Sequence, residues 1–237
     1  AAAHTASNLI CAAIQAKGSA NLILATGNSQ LTFLHSIRAL PVEWSRVNIF
    51  HMDEYVGLPS DHPASFPLFL KTHLVDAVHP LAFYPIEASQ GNPQDVRNGY
   101  AQQIKSFPPD LCVLGIGENG HIAFNDPPFA DFSDPLSVKL VELDRRSRLQ
   151  QVGEGHFASL AEVPTHAITL TIPALLSASA MLCLVPEFRK AEAVCKTLTG
   201  PINSSCPASI LRQAAHCQLF LDQDSASEVL HVLKSSS

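Results

Sequence analysis

Charged residues are scarce in this chain of 237 residues, at 15% of the total against 46% hydrophobic. That balance excludes a disordered polymer and requires much of the sequence to sit in buried elements. Basic charge is in deficit too. The formal net charge is -6 and the pI is near 6.0, so there is no electrostatic case for nucleic acid. An anionic ligand would have to be held by a local site. Cys-x-x-Cys pairs are missing: the six cysteines at 11, 112, 183, 195, 206 and 217 are scattered, and Cys112 and Cys183 lie inside apolar runs. In a chain of this size and spacing a disulfide framework is not expected, which predicts a reducing, cytoplasmic setting. No apolar run approaches a membrane span, and the start carries no signal-peptide pattern but opens directly in a helical one. Neither membrane association nor secretion is expected.

Several motifs are absent as well. No Gly-Lys-Ser/Thr follows the first glycine turn, so there is no Walker loop. No Gly-x-Ser-x-Gly elbow exists to support a Ser-His-Asp hydrolase. Eleven histidines are present, yet their spacing asks for no metal set. His51 with His121 and an aspartate could bind zinc in principle, without a spacing that demands it.

What is there reads as strands alternating with helices. Helical spacing over 5–16 stops at Gly18, a buried strand over 21–26 ends in Gly27-Asn28-Ser29, and a helix resumes over 31–40. A strand over 47–50 follows, then a helix over 64–77 in which Pro67 is tolerable only in the first turn. A short strand near 82–86 precedes a helix over 93–106. Further strands fall at 111–114, 167–170, 180–185 and 218–221, with an extended piece at 138–143 and helices over 187–198 and 225–234. Continuously apolar strands imply a sheet covered on both faces. With no composition break or repeat, the expected fold is α/β: a single-domain, three-layer open sandwich over 1–237. Its sheet is mainly parallel and Rossmann-like, with helices on both faces. Pro127, Pro128 and Pro135 mark a loop around 127–137 that suits a lid as well as an ordinary crossover.

The most informative stretch is Asp110-Leu-Cys-Val-Leu-Gly-Ile-Gly-Glu-Asn-Gly-His121-Ile-Ala-Phe-Asn-Asp126-Pro127. An apolar run breaks into Gly115-x-Gly117 and then into polar groups, as a buried parallel strand does where it ends at a ligand site. Glycines there let backbone approach a ligand, and His121 is a side chain able to give and take a proton. A lone histidine is commonly a satisfied core group; here the glycine loop before it and Asp126 after it favour a functional role. Asp53 and Glu54 follow a second buried strand. Adjacent carboxylates point in opposite directions, so one of them faces the site, where partial burial would raise its pKa and suit it to proton abstraction. Thr26-Gly27-Asn28-Ser29 joins a strand to a helix and can cradle phosphate with free N–H groups and hydroxyls. A plain cap reads equally well from those residues alone. Lys190, at the start of a helix, works against the dipole and so hints at an anionic partner.

Together these residues resemble a known family. His51-Met-Asp-Glu-Tyr-Val-Gly-Leu-Pro-x-x-His-Pro63-x-Ser65 and Gly115-Ile-Gly-x-x-Gly-His-Ile-Ala-Phe-Asn-Asp-Pro127 closely resemble the two signatures of glucosamine-6-phosphate deaminases. Leu24-Ala-Thr-Gly-Asn-Ser29, Val163-Pro-x-x-Ala-Ile-Thr-Leu170, Arg189-Lys-Ala191 and Pro207-Ala-Ser-Ile-Leu211 extend the likeness over nearly the whole chain, in order. The resemblance implies ring opening of an amino-sugar phosphate, aldose-to-ketose isomerisation and loss of ammonia, giving fructose 6-phosphate without a cofactor. It implies that Asp53 moves a proton between C2 and C1 and that His121 assists ring opening. Asp126 stands where members carry a glutamate that partners this histidine. Lys190 and residues Thr26, Gly27, Asn28 and Ser29 would bind the phosphate.

Two positions depart from the pattern. Asn119 stands in the catalytic cluster where many members carry aspartate, and Gly153 stands where many carry a phosphate-binding arginine. A galactosamine-6-phosphate isomerase and a 6-phosphogluconolactonase are alternatives within the same architecture. The lactonase loop usually continues Thr-Ala-Ser rather than Ile-Ala-Phe-Asn. A non-catalytic sugar-phosphate sensor is the alternative of another class; it would not need Asp53, His121 and Asp126 together. Homo-oligomerisation and allosteric regulation stay open.

Overall fold

The computed structural model describes residues 1–127 and 129–235; Pro128, one of the three prolines marking the expected loop, lies outside them. Among the described residues nine strands form two sheets. The strands are β1 (Ala20–Leu24), β2 (Val47–His51), β3 (Asp53–Tyr55), β4 (Ala82–Tyr84) and β5 (Leu111–Leu114), then β6 (Val138–Glu142), β7 (His166–Leu170), β8 (Ala180–Val185) and β9 (Cys217–Leu221). The helices are α1 (Ala2–Lys17), α2 (Leu31–Ile37), α3 (Phe66–Leu70), α4 (Asp76–Val78) and α5 (Pro93–Ser106). They continue with α6 (Arg145–Gly153), α7 (Ile172–Leu176), α8 (Ala191–Thr199) and α9 (Ser227–Ser235).

The larger sheet has six strands in the order β4-β2-β1-β5-β8-β9, and every pairing in it is parallel. Along its central strands, side chains alternate between two cores, as the period of two requires. Ile23, Phe50, Cys112, Leu114, Met181 and Cys183 face one core, with Tyr100 and Ile104 of α5, Leu175 of α7 and Val194 of α8. Leu22, Leu24, Ile49, Val113, Leu182 and Leu184 face the other, with Ala6 and Ile10 of α1 and Phe33, Leu34 and Ile37 of α2. A strand buried on both faces has to be apolar throughout, and this explains the continuous runs in the sequence. Each such Leu or Ile contributes about 1.5–3 kcal/mol.

Helix ends follow local chemistry. Asn92 caps α5 by accepting from Gln94 N at 3.0 Å, with Pro93 in the first turn. Ser65 caps α3, and Pro67 sits in its first turn as expected. The helix expected over 64–77 keeps its path but not its hydrogen bonding: a π-helical turn over Lys71–Val75 separates α3 from α4.

Two of the expected strands belong elsewhere. The extended piece at 138–143 and the strand at 167–170 are not in the parallel sheet. As β6 and β7 they pair antiparallel with each other, and β3 adds to β7 with Asp53 opposite Thr169. This three-stranded sheet lays Val138, Ile168 and Leu170 on one of the two cores and encloses a third cluster around Tyr55, Phe124 and Ala167.

The end of β2 has a specific need. β4 stops at Tyr84, whose partner is Phe50, so the next residue, His51, has no strand beside it there. The Tyr100 hydroxyl fills the gap: it accepts from His51 N at 3.0 Å and donates to His51 O at 2.7 Å. Tyr100→Phe would leave both buried groups unsatisfied, and a loss of about 1–3 kcal/mol is expected. A denaturant midpoint unchanged from wild type would contradict it.

Candidate active site

The order of the parallel sheet creates a crevice. From β1 the chain builds outward through β2 to β4, and from β5 it builds the other way through β8 to β9. Between β1 and β5 the following segments leave in opposite directions, which is where open parallel sheets take ligands. The pocket at this edge is lined by Thr26, Gly27, Asn28 and Ser29 after β1, Asp53 and Gly115–Gly117 near the middle, His121, and Arg189 and Lys190 after β8.

Asp53 and Glu54 diverge as the strand period requires. Asp53 lines the pocket. Burial pushes its carboxyl up to about 7, partly offset by the Phe124 backbone amide and assisted by the nearby Asp126 charge. Glu54 turns away into structure, accepting from Tyr55 N at 2.7 Å, Ser65 Oγ at 2.9 Å and Phe66 N at 3.1 Å. It ties β3 to the start of α3. His51 is also structural. Its Nε2 accepts from Ile86 N at 2.8 Å, so its Nδ1 must carry the proton, which it gives to Asp53 O at 2.9 Å. With both ring nitrogens engaged and burial holding its pKa down to about 4, His51 is a neutral brace behind Asp53. It offers no lone pair to zinc.

His121, Asn119 and Asp126 come together as one network. The imidazole Nδ1 is 2.6 Å from Asn119 Oδ1 and 3.1 Å from Asp126 Oδ1. Asn119 Nδ2 donates to the same Asp126 oxygen at 2.9 Å. Two acceptors at Nδ1 fix the proton there and leave Nε2 as the ring's exchangeable position. Asp126 lies behind the histidine, with a side chain 1% exposed. Burial would raise its pKa, but hydrogen bonds and charge from His121, with the Ser147 and Asn119 side chains, bring it down to about 2. Shorter by one methylene than the glutamate of the resemblance, Asp126 still reaches the ring. An amide at 119 gives Asp126 a donor where an aspartate would give it a second negative charge.

Gly117 serves this network by being small. A Cβ placed there would lie 2.1 Å from His121 Cε1, so the imidazole occupies the space a side chain would need. The glycine makes room for the protein's own histidine, whereas the sequence pattern suggested close approach to a ligand. Gly115 does the same on a smaller scale for Gln30, whose Nε2 would stand 3.2 Å from a Cβ there.

The other end of the pocket is built from two turns of matching backbone. After β1, Gly27 (φ 94, ψ 169) leads into a 3-10 turn over Asn28–Gln30 and then α2. After β8, Glu187 (φ 83, ψ 140) leads into a 3-10 turn over Phe188–Lys190 and then α8. Gln30 N bonds Gly27 O, and Lys190 N bonds Glu187 O, each at 3.0 Å. Glycine takes the first conformation freely. A glutamate in the second costs about 1–3 kcal/mol; its N–H donates to Asp222 Oδ2 at 3.0 Å and its carboxylate holds Arg189. Lys190 ends the second turn, 4% exposed, and burial lowers its pKa. Among the described residues no carboxylate lies within 4.0 Å of its ammonium. A buried cation without a close counter-ion lines the same pocket as the hydroxyls and amides of residues 26–29. That is an anion-binding arrangement.

All nine residues singled out from the sequence therefore belong to this site: Asp53, His121, Thr26, Gly27, Asn28, Ser29 and Lys190 on its wall, and Asn119 and Asp126 behind His121. Apart from Gly153, which the resemblance placed near the phosphate, sequence reasoning missed a third wall. α6 and the segment after it bring Gln150, Gln151, Glu154 and His156 to the pocket. Ser147 joins the histidine network, with Oγ 3.2 Å from His121 Nδ1 and donating to Asp126 Oδ1. A signal for it existed in Asp144, which caps α6 by accepting from Arg146 N. Among the described residues of the loop around 127–137, none lines the pocket. Among the described residues no group of three or more His, Cys, Asp or Glu could hold a metal ion, and no helix is long and apolar enough to cross a membrane.

Comparison with known proteins gives the family. The family described as glucosamine-6-phosphate isomerases/6-phosphogluconolactonase matches residues 1–136. A glucosamine-6-phosphate deaminase of Exiguobacterium sibiricum is 37% identical over 86% of this chain and 79% of its own length. One from Streptococcus equi subsp. zooepidemicus is 32% identical over 90% of this chain and 89% of its own. Among solved structures, a monomeric glucosamine-6-phosphate deaminase superposes with a TM-score of 0.85 at 28% identity, covering 95% of each chain. A 6-phosphogluconolactonase of Shewanella baltica shares the fold at a TM-score of 0.77 and 19% identity, over 92% of this chain and 90% of its own. The chain belongs to the glucosamine-6-phosphate isomerase/6-phosphogluconolactonase family.

Proposed function

We propose that this protein is a deaminating aldose–ketose isomerase, converting glucosamine 6-phosphate and water to fructose 6-phosphate and ammonia. The observation that carries the reading is the layout of one pocket: proton carriers Asp53 and His121 at one end, and the cradle of Thr26, Gly27, Asn28, Ser29 and Lys190 at the other. The deaminases at 32–37% identity support the same reaction. The pocket draws on residues from 25 to 190, so we take the chain to act as one domain over 1–237. Six free thiols fit a reducing cytoplasm.

In this reading the phosphate is held between the two turns and the sugar ring extends toward His121. Nε2 takes the proton from the anomeric hydroxyl and returns it to the ring oxygen, which opens the ring. Asn119, Asp126 and Ser147 act as positioning residues that keep the imidazole and its Nδ1 proton in place. The aldehyde at C1 acidifies the C2 proton. Asp53 removes that proton and delivers it to C1 while one amine proton passes to the C1 oxygen, leaving an imine at C2; water adds there and ammonia leaves. A base must be ionised to act yet basic enough to take a carbon-bound proton. A carboxylate with a pKa of about 7 meets both demands near neutral pH.

Release of ammonia and fructose 6-phosphate from glucosamine 6-phosphate is the direct test, with galactosamine 6-phosphate and 6-phosphogluconolactone run beside it. Activity on either of the latter alone would overturn the assignment. Asp53→Asn is expected to lower kcat by about 10²–10⁴-fold while sugar-phosphate binding persists; near-normal turnover would remove Asp53 from the chemistry. The pH dependence follows from the sign of the shift. Asp53 must lose its proton, so kcat/KM should fall about tenfold per pH unit below about 7. A flat profile from pH 5 to 8 would contradict the assignment.

A further inference from the structure

We propose that Glu154 is an internal anion that competes with the ligand's phosphate for Arg189, and so sets how tightly the pocket holds phosphorylated sugars. The inference rests on the sugar-phosphate reading above. Arg189 stands beside Lys190 on the turn after β8 and lines the same pocket. A guanidinium there is well formed to hold a phosphate through its forked donors. Two of its three nitrogens are already engaged. Nη1 lies 2.9 Å from Glu154 Oε1 and 3.5 Å from Glu118 Oε1, while Nε donates to Glu187 Oε2 at 2.6 Å.

Among these three carboxylates Glu154 is the decisive one. Its side chain is 7% exposed, against 35% for Glu118 and 43% for Glu187, so water and salt screen it least. It is fixed from its other side as well. Gln150 Nε2 donates to Oε1 at 2.8 Å, and His156 Nε2 lies 3.4 Å from Oε2. Burial alone would push its carboxyl up; hydrogen bonds from His156 and Gln150, with the charges of Arg189 and Lys190, bring it down to about 2. It is therefore negative at any working pH. A phosphate seated at Lys190 meets a fixed charge of its own sign in the same pocket, and that charge occupies the second cation. To take the Nη1 donor of Arg189, the phosphate must displace Glu154. Glu154 in this way sets the strength of the phosphate subsite for every ligand that carries the group.

The test is a double-mutant cycle on binding of inorganic phosphate, measured by titration calorimetry without turnover. Glu154→Gln preserves volume and the contact to Gln150. The dissociation constant for inorganic phosphate is expected to fall about tenfold, a change of about 1.4 kcal/mol. Arg189→Met should weaken binding less than about threefold in the wild-type background and about tenfold in the Glu154→Gln background. A constant that is unchanged or raised by Glu154→Gln overturns the proposal, as does an equal loss from Arg189→Met in both backgrounds. Thermal unfolding checks that each variant is folded; if Glu154→Gln does not fold, the Arg189→Met result in the wild-type background decides. Because phosphate binding is the readout, a protein without deaminase activity but with the expected cycle would overturn the function above and leave this inference standing. Normal activity with no coupling would do the reverse.

Discussion

A parallel strand ends with backbone that no neighbouring strand completes, and something must occupy that edge. Here the edge lies between β1 and β5, where the two halves of the larger sheet run apart. Everything chemical in the molecule hangs on that junction. The anion cradle is the exit of β1, the histidine loop is the exit of β5, and Lys190 is the exit of β8. Asp53 arrives from a different sheet, held by β3 pairing with β7 and by the His51 ring beneath it. The larger sheet supplies the binding groups and His121, and the smaller one adds Asp53 to the same pocket.

Burial then decides what each ionisable group becomes. Among the described residues no cation pairs with Asp53, and desolvation raises its pKa. Asp126 is equally hidden but receives donors from His121, Asn119 and Ser147, and stays ionised. Two aspartates in one site are thus driven to opposite behaviour by the groups that face them. The same contrast appears among the cations: Arg189 pairs with three carboxylates, whereas among the described residues none lies within 4.0 Å of the Lys190 ammonium.

Much of this was legible in the sequence, for physical reasons that also explain the rest. The doubly buried strands 111–114 and 180–185 and the capped helix 93–106 fall where their residues put them, because burial on both faces and an Asn-Pro cap leave unambiguous marks. The glycine loop was legible because two strand exits carried polar groups in a set order. Sheet membership was not, since an apolar run at 138–143 or 167–170 does not say which strand it will pair with. β3 is three residues long, too short to show a period. α6 reads Arg-Arg-Ser-Arg-Leu-Gln-Gln-Val-Gly; without an apolar stripe it gives no helical signal, yet it brings Ser147 and Gln150 to the site. Glu154 belongs to no motif. Its role emerges only from what the fold sets around it.

The cramped space at Gly117 has a genetic consequence. Every other amino acid carries a Cβ, and a Cβ at this position collides with the ring of His121. Any missense change in that codon therefore acts on a residue four places away, displacing the imidazole from Asn119, Asp126 and Ser147. A screen for lost activity is therefore expected to return alleles at 117 alongside those at 121.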